Sequence, residues 1–257
     1  MTHIDMRTFL CRDDNFGLLI HDHKTGATAA IDAPDANAIE RELRKLGRQL
    51  THILVTHHHM DHIEGILQLK DMFGCKVIGP KAEADVIPGL DVTVSGGDKF
   101  TWAGREVEVW DCPGHSKGHI VFHMPEEFSV FAGDVLFSIG CGRVGEAAME
   151  QMYQAVSKFK PLPPHTYLYC GHEYTLANCN FALTIDPDNR HLHARYIEVQ
   201  KLLSEGRLTC PSTMGDEFKA NPYLRLDDKA IRHTLGMEGA SDLEVFTAIR
   251  TRKNNFK

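Results

Sequence analysis

The chain has 257 residues, of which 42% are hydrophobic and 25% charged, enough to bury one large core or a domain of about 170 residues plus a smaller one. Its net charge of −7 argues against general affinity for nucleic acid, and no apolar run approaches the ~20 residues of a membrane helix. The N-terminus lacks the basic-then-apolar pattern of an export signal, and seven scattered cysteines without a Cys-X-X-Cys pair suit reduced thiols, so a cytoplasmic location is expected.

In chain order, residues 16–20 and 27–31 are apolar runs separated by the turn signal His23-Lys24-Thr25-Gly26, which predicts a hairpin of buried strands. Pro34-Asp35 opens a segment with Ile39, Leu43 and Leu46 at helical spacing, closed by Gly47. A strand over 51–55 then delivers Thr56-His57-His58-His59-Met60-Asp61-His62 to one rim of the core. Ile63, Ile66, Leu67, Met72 and Phe73 predict one apolar helix face that Gly74 ends. Val77-Ile78 reads as a short strand, 80–88 as a broken helix, and 105–110, 120–123, 129–131 and 166–169 as further strands. Beyond 173 the pattern is helical (Tyr196, Val199, Leu202, Leu203; Leu243, Phe246, Ile249) with no clear strand. An α/β arrangement follows, its polar loops gathered at one edge, with 1–172 as the catalytic domain and 173–257 as an α-helical one.

Histidine is frequent, 16 in all, so a pair spaced two apart carries little alone; His21-Asp22-His23 and His191-Leu192-His193 share that spacing. The Asp and His that follow set 56–62 apart. In an extended loop residues two apart point the same way, so His57, His59 and Asp61 share a side, and His62 turns with the first helical residues. Three later loops each place a metal-ligand type where a strand should end: Cys112-Pro113-Gly114-His115, Gly133-Asp134 and Cys170-Gly171-His172. His119 reads as a core histidine or one supporting a ligand, and Glu173 as the solvated opening of a helix. Imidazole and carboxylate without thiolate suit zinc, iron or manganese at a hydrolytic centre. Seven ligands exceed one tetrahedral ion and suit two ions sharing a carboxylate. Asp134 is the natural bridge, since both its oxygens can ligate.

Thr-His-X-His-X-Asp-His, then Pro-Gly-His, Gly-Asp and Gly-His in this order resemble the metallo-β-lactamase superfamily over residues 50–175. What that resemblance implies is an αββα sandwich followed by a smaller C-terminal α-helical domain, with two divalent ions at one edge, zinc ahead of iron or manganese. It gives His57, His59 and His115 to the first ion, Asp61, His62 and His172 to the second, and Asp134 to both. His58 and Met60 fall at its variable positions. Asp61 and Asp134 are then the catalytic carboxylates, Asp61 also orienting the nucleophile.

Ser138-Ile139-Gly140-Cys141-Gly142-Arg143, Cys170-Gly171-His172-Glu173-Tyr174-Thr175, Asn221-Pro222-Tyr223-Leu224-Arg225 and Arg250-Thr251-Arg252-Lys253-Asn254-Asn255-Phe256 are similar to the glyoxalase II family of hydroxyacylglutathione hydrolases, across essentially the whole chain. This implies a metal-dependent thioester hydrolase that cleaves S-(2-hydroxyacyl)glutathione, typically S-D-lactoylglutathione, to a 2-hydroxy acid and glutathione through a metal-bridging hydroxide, the second step of methylglyoxal detoxification. The helical domain would form one wall of the glutathione pocket, with Arg250 and Lys253 meeting its carboxylates and Arg143, Tyr174 and Asn178 at other contact positions. By spacing alone Arg250 and Lys253, three apart on a terminal helix, read first as a solvated basic end complementing the helix dipole. Gly145 stands where the family usually presents an aromatic residue. The glutathione thioester is the partner expected, with no nucleic acid, no membrane and a monomeric chain. The alternative in the same superfamily is a mononuclear-iron glutathione persulfide dioxygenase, which generally lacks a helical extension such as 173–257. An RNA-processing nuclease is disfavoured by the acidic charge, and a protein that only binds metal or glutathione conjugates is the non-enzymatic reading.

Overall fold

Apolar runs alternating with Gly- and Asp-bearing turns carry residues 4–94 into one six-stranded sheet. The computed structural model describes residues 4–144 and 149–256, and the chain packs as two units, Met1–Asp111 with Ser116–Gly133, and Cys112–His115 with Asp134–Lys257.

In the first unit, β1 (Ile4–Leu10), β2 (Phe16–Asp22), β3 (Thr28–Ile31), β4 (His52–Leu54), β5 (Lys76–Pro80) and β6 (Val92–Val94) lie side by side in chain order. β1 to β3 are antiparallel, with β2 and β3 the expected buried hairpin, and β3 to β6 are parallel. Parallel neighbours need crossovers. α1 (Ala36–Leu46) supplies the first, and α2 (Met60–Ile63) with α3 (Ile66–Phe73) the second. α1 starts where the Asp35 carboxylate accepts from Ala38 N at 3.0 Å, and it stops at Gly47 with φ 65°. Its Ile39 and Leu43 pack into a core shared with Leu19, Ile53, Val55 and Ile66.

The single apolar helix expected over 63–73 is broken at Glu64-Gly65. Leu67 is 57% exposed and Met72 is exposed too, while Ile63, Ile66 and Leu69 are buried and Phe73 packs part-buried against the same core. The break follows from a close backbone approach: a Cβ at Gly65 would lie 2.8 Å from Ala36 N and 2.9 Å from Ala33 O, the carbonyl that Gly65 N itself donates to. The broken helix expected over 80–88 is reduced to one 3₁₀ turn, Lys81–Glu83.

An antiparallel meander completes this unit: β7 (Lys99–Trp102), β8 (Arg105–Asp111), β9 (Ile120–Met124) and β10 (Ser129–Gly133). Arg105 ties it to the first sheet by reaching Asp22 at 2.5 Å while also reaching Glu127 in its own β9–β10 turn at 2.5 Å, and Ile120 N donates to Thr56 O at 2.9 Å.

The second unit begins with a tight hairpin, β11 (Leu136–Phe137) and β12 (Gly140–Cys141). α4 (Met149–Ser157) and β13 (Tyr167–Cys170) follow, then α5 (Thr175–Ile185) and α6 (Arg190–Ser204). β13 pairs with β14 (Ser212–Thr213), a short strand that the purely helical reading beyond 173 missed. α7 (Met214–Ala220), α8 (Lys229–Leu235) and α9 (Asp242–Asn255) complete it. The helices close on the tip of the hairpin, where Ile139 is buried at φ 59° in a small core with Cys179, Ala182, Leu192, Val199 and Ala220. Among the described residues no helix is long and apolar enough to cross a membrane.

Gly65→Ala places a methyl against rigid backbone rather than a yielding side chain. It is expected to lower unfolding free energy by ~1–3 kcal/mol, the usual cost of overpacking, read by denaturant titration.

Candidate metal centre

Beyond the backbone bonds at its two ends, from Ile120 N to Thr56 O and from Ala33 N to His62 O, side chains fix the course of the loop after β4. Thr56 N and Oγ1 donate to the two oxygens of Asp32, at 2.7 and 2.8 Å. Asp32 follows β3 at φ 57° and also lies 2.8 Å from His62 Nδ1. His57 Nδ1 is 3.0 Å from Thr56 Oγ1, and its ring stacks on His119 at 4.6 Å and 22°. His57 Nε2 in turn faces His59 Nδ1 at 3.1 Å. Asn15 Nδ2 donates to both the carbonyl and Oδ2 of Asp61, each at 3.1 Å, and Asp61 Oδ2 is 3.7 Å from His62 Nε2.

These bonds decide which nitrogen carries each proton. Thr56 Oγ1 spends its hydrogen on Asp32, so toward His57 it can only accept, and His57 is protonated on Nδ1 with its lone pair on Nε2. The Asp32 carboxylate imposes the same tautomer on His62. In the second unit the Arg143 carbonyl, 3.1 Å from His115 Nδ1, does so for His115. His115 Nε2 and His172 Nε2 then both approach the same oxygen of Asp134, Oδ2, at 3.3 Å. The His172 ring lies parallel to Tyr174, 4.8 Å away at 4°, with Phe137 edge-on to both. Imidazole lone pairs and carboxylate oxygens brought together in this way fit divalent ions. Each unit thus gathers its own predicted ligands: His57, His59, Asp61 and His62 in the first, His115, Asp134 and His172 in the second.

The predicted substrate contacts divide by burial. Arg250 is only 6% exposed, and its Nη1 donates to Cys141 O at 2.9 Å, so the solvated-end alternative fails for it. Lys253 Nζ donates to Ala177 O at 3.0 Å and lies over the Phe181 and Phe256 rings. Burial, followed by the neighbouring Arg250 charge, pushes the Lys253 ammonium down to about 8. Asn178 is buried and donates to Ser138 O at 3.1 Å, whereas Tyr174 and Arg143 are exposed. Gly145 lies outside the described residues.

Several working residues escaped the sequence reading. Asp32 carried the signal that marked Asp134, an acid straight after a buried strand. Asn15 and Glu83 carried none. Glu173, expected to be solvated, accepts from Thr209 N at 3.0 Å. Glu217, fully buried, accepts from Ile139 N at 2.8 Å and from Asn221 Nδ2 at 2.9 Å.

Residues 25–172 match the metallo-beta-lactamase superfamily. The crystal structure of ETHE1 from Myxococcus xanthus superposes with a TM-score of 0.65 at 22% identity, covering 98% of this chain and 100% of that one. That of BLEG-1 B3 metallo-beta-lactamase gives 0.63 at 19%, covering 86% of this chain and 99% of that one. The fold is therefore the metallo-β-lactamase fold, as expected. Residues 173–256 match the hydroxyacylglutathione hydrolase C-terminus, the helical domain expected after it. Over 256 residues the chain is 50% identical to the hydroxyacylglutathione hydrolase of Rhizobium meliloti, with all of both covered, and it is 49% identical to that of Brucella ovis over 98% of both. The chain belongs to the hydroxyacylglutathione hydrolase family, and the dioxygenase alternative is correspondingly weaker.

Burial raises the Glu217 carboxyl above its ordinary value. A raised folded-state pKa contributes stability in full below the unfolded value, and this is lost as pH rises through the folded one. Glu217→Gln, which keeps an acceptor for Ile139 N, should therefore raise the melting temperature relative to wild type at neutral pH, with the gap narrowing toward pH 4.

Proposed function

We propose that the protein hydrolyses S-(2-hydroxyacyl)glutathione, typically S-D-lactoylglutathione, to a 2-hydroxy acid and glutathione, with two divalent ions held by its histidines and aspartates. The observation that carries this reading is the 50% identity to a hydroxyacylglutathione hydrolase along the full length of both chains. The convergent donor sets support its metal dependence. His57, His59 and His115 are assigned to one ion, Asp61, His62 and His172 to the other, and Asp134 to both. The nitrogen and oxygen donors suit zinc first, then iron or manganese. Residues 1–172 are read as the catalytic domain and 173–257 as the glutathione-binding one, in a monomeric cytoplasmic enzyme of methylglyoxal detoxification.

When bound, such ions supply a water whose pKa falls to about 7 and a Lewis acid for the thioester carbonyl. The chain's own contributions are orientation and proton placement. Asn15 holds the Asp61 carboxylate through Oδ2, and so orients a group assigned to the second ion. Asp32, Thr56 and the Arg143 carbonyl keep His62, His57 and His115 with Nε2 unprotonated. A thiolate leaves readily, so no side-chain acid is required. For glutathione, Lys253 offers a cation to a carboxylate, and exposed Arg143 and Tyr174 offer a second cation and a hydroxyl. Arg250 and Asn178, whose polar groups already hold main-chain carbonyls, act at least in part by shaping that wall.

Purified protein should carry two divalent ions per chain and release free thiol from S-D-lactoylglutathione. Chelation should abolish turnover and metal should restore it. One iron per chain with oxygen uptake on glutathione persulfide would establish the oxygenase instead.

Because Lys253 titrates at about 8, it is cationic below that pH and neutral above it. KM for the thioester should therefore rise as pH passes about 8 with kcat less affected, as loss of uniform binding requires. The rise should flatten in Lys253→Arg, whose cation persists.

A further inference from the structure

We propose that Glu83 is a positioning residue for the metal centre, clasping the backbone between His57 and His59 to the segment that carries His119. The inference rests on reading His57 and His59 as metal ligands. Glu83 ends the 3₁₀ turn Lys81–Glu83 and is only 4% exposed. Its Oε2 accepts from His58 N at 2.8 Å and lies 3.0 Å from His58 Nδ1, and its Oε1 accepts from Gly118 N at 2.8 Å. Both oxygens of one buried carboxylate are thus committed to two separate backbone segments.

A carboxylate accepting from backbone N–H groups makes short, strong bonds. Buried, it gives each segment a partner that water does not supply. The approach is close enough to dictate the residue at 118, where a Cβ would lie 2.7 Å from Ala82 Cβ and 2.7 Å from Glu83 Cγ. Immediately beyond Gly118, His119 stacks on His57, and Ile120 N donates to Thr56 O. A closed circuit results, from the loop at His58 through Glu83 and Gly118 to His119 and back to His57.

Asp32 fixes the two ends of the loop, at Thr56 and His62, and Glu83 fixes its middle. The peptide it holds joins the two imidazoles whose nitrogens face each other at 3.1 Å. Without the clasp, that spacing is left to the side chains alone. Residues that orient metal ligands typically alter affinity 10–100-fold when lost.

The test is zinc affinity, measured by competition against a chromophoric chelator on metal-stripped full-length protein, alongside the melting temperature of the same stripped samples. Glu83→Ala should bind zinc about 10–100-fold more weakly. Glu83→Gln, which keeps an acceptor for one amide but turns an NH₂ toward the other, should fall between, and KM for the thioester should stay near wild type. His58→Ala keeps the backbone clasp and should retain wild-type affinity. Wild-type zinc affinity in Glu83→Ala, or in Glu83→Gln should the alanine variant not fold, would overturn the proposal and leave Glu83 a purely structural residue. Should His57→Ala bind zinc as tightly as wild type, the ligand assignment beneath the proposal would fail instead.

Discussion

Two oxygens of one buried carboxylate, Asp32, set the terms for the histidine loop over 56–62. They accept from Thr56 N, from Thr56 Oγ1 and from His62 Nδ1, so three groups that would otherwise be buried without partners are satisfied at one point. Because Thr56 Oγ1 spends its proton there, it must accept from His57, and the tautomer of a second histidine follows from the first bond. Isolated, a buried carboxylate would be costly. Surrounded by donors, it acts as a template that orders the loop around it.

The second unit solves a related problem by other means. Its hairpin tip carries a β-branched residue, Ile139, in the left-handed region, a conformation that persists only when its surroundings enforce it. They do so from several sides. Glu217 takes the Ile139 amide, Asn221 takes the carbonyls of Phe137 and Gly140, Asn178 takes that of Ser138, and the side chain fills an apolar socket among the helices.

Much of this was legible in the sequence, for reasons that differ by element. α1 announced itself through Asp35, its apolar spacing and Gly47, all local signals. The loops bearing the candidate ligands stood out because metal chemistry restricts the residue types and the spacing between them. β1 was not, since Ile-Asp-Met-Arg-Thr-Phe-Leu is a half-exposed strand without an apolar run. The break at Gly65 was hidden because its cause, the backbone of Ala33 and Ala36, lies elsewhere in the chain. Glu83 and Glu217 were hidden for a related reason: a lone glutamate in sequence looks solvated until the amides it serves are known.

Arg250 gives the helical segment a structural part in this unit. Its guanidinium holds the carbonyls of Cys141 and Gly142, and the next carbonyl, that of Arg143, fixes the tautomer of His115. A side chain near the end of α9 therefore braces the turn that orients His115 through three consecutive peptides. A chain ending at 172 would lose that brace together with Asn178, Glu217 and Asn221, leaving the 137–142 hairpin with an exposed isoleucine and unpaired carbonyls. Within this unit, the helical segment and the turn that orients His115 are built from the same hydrogen bonds.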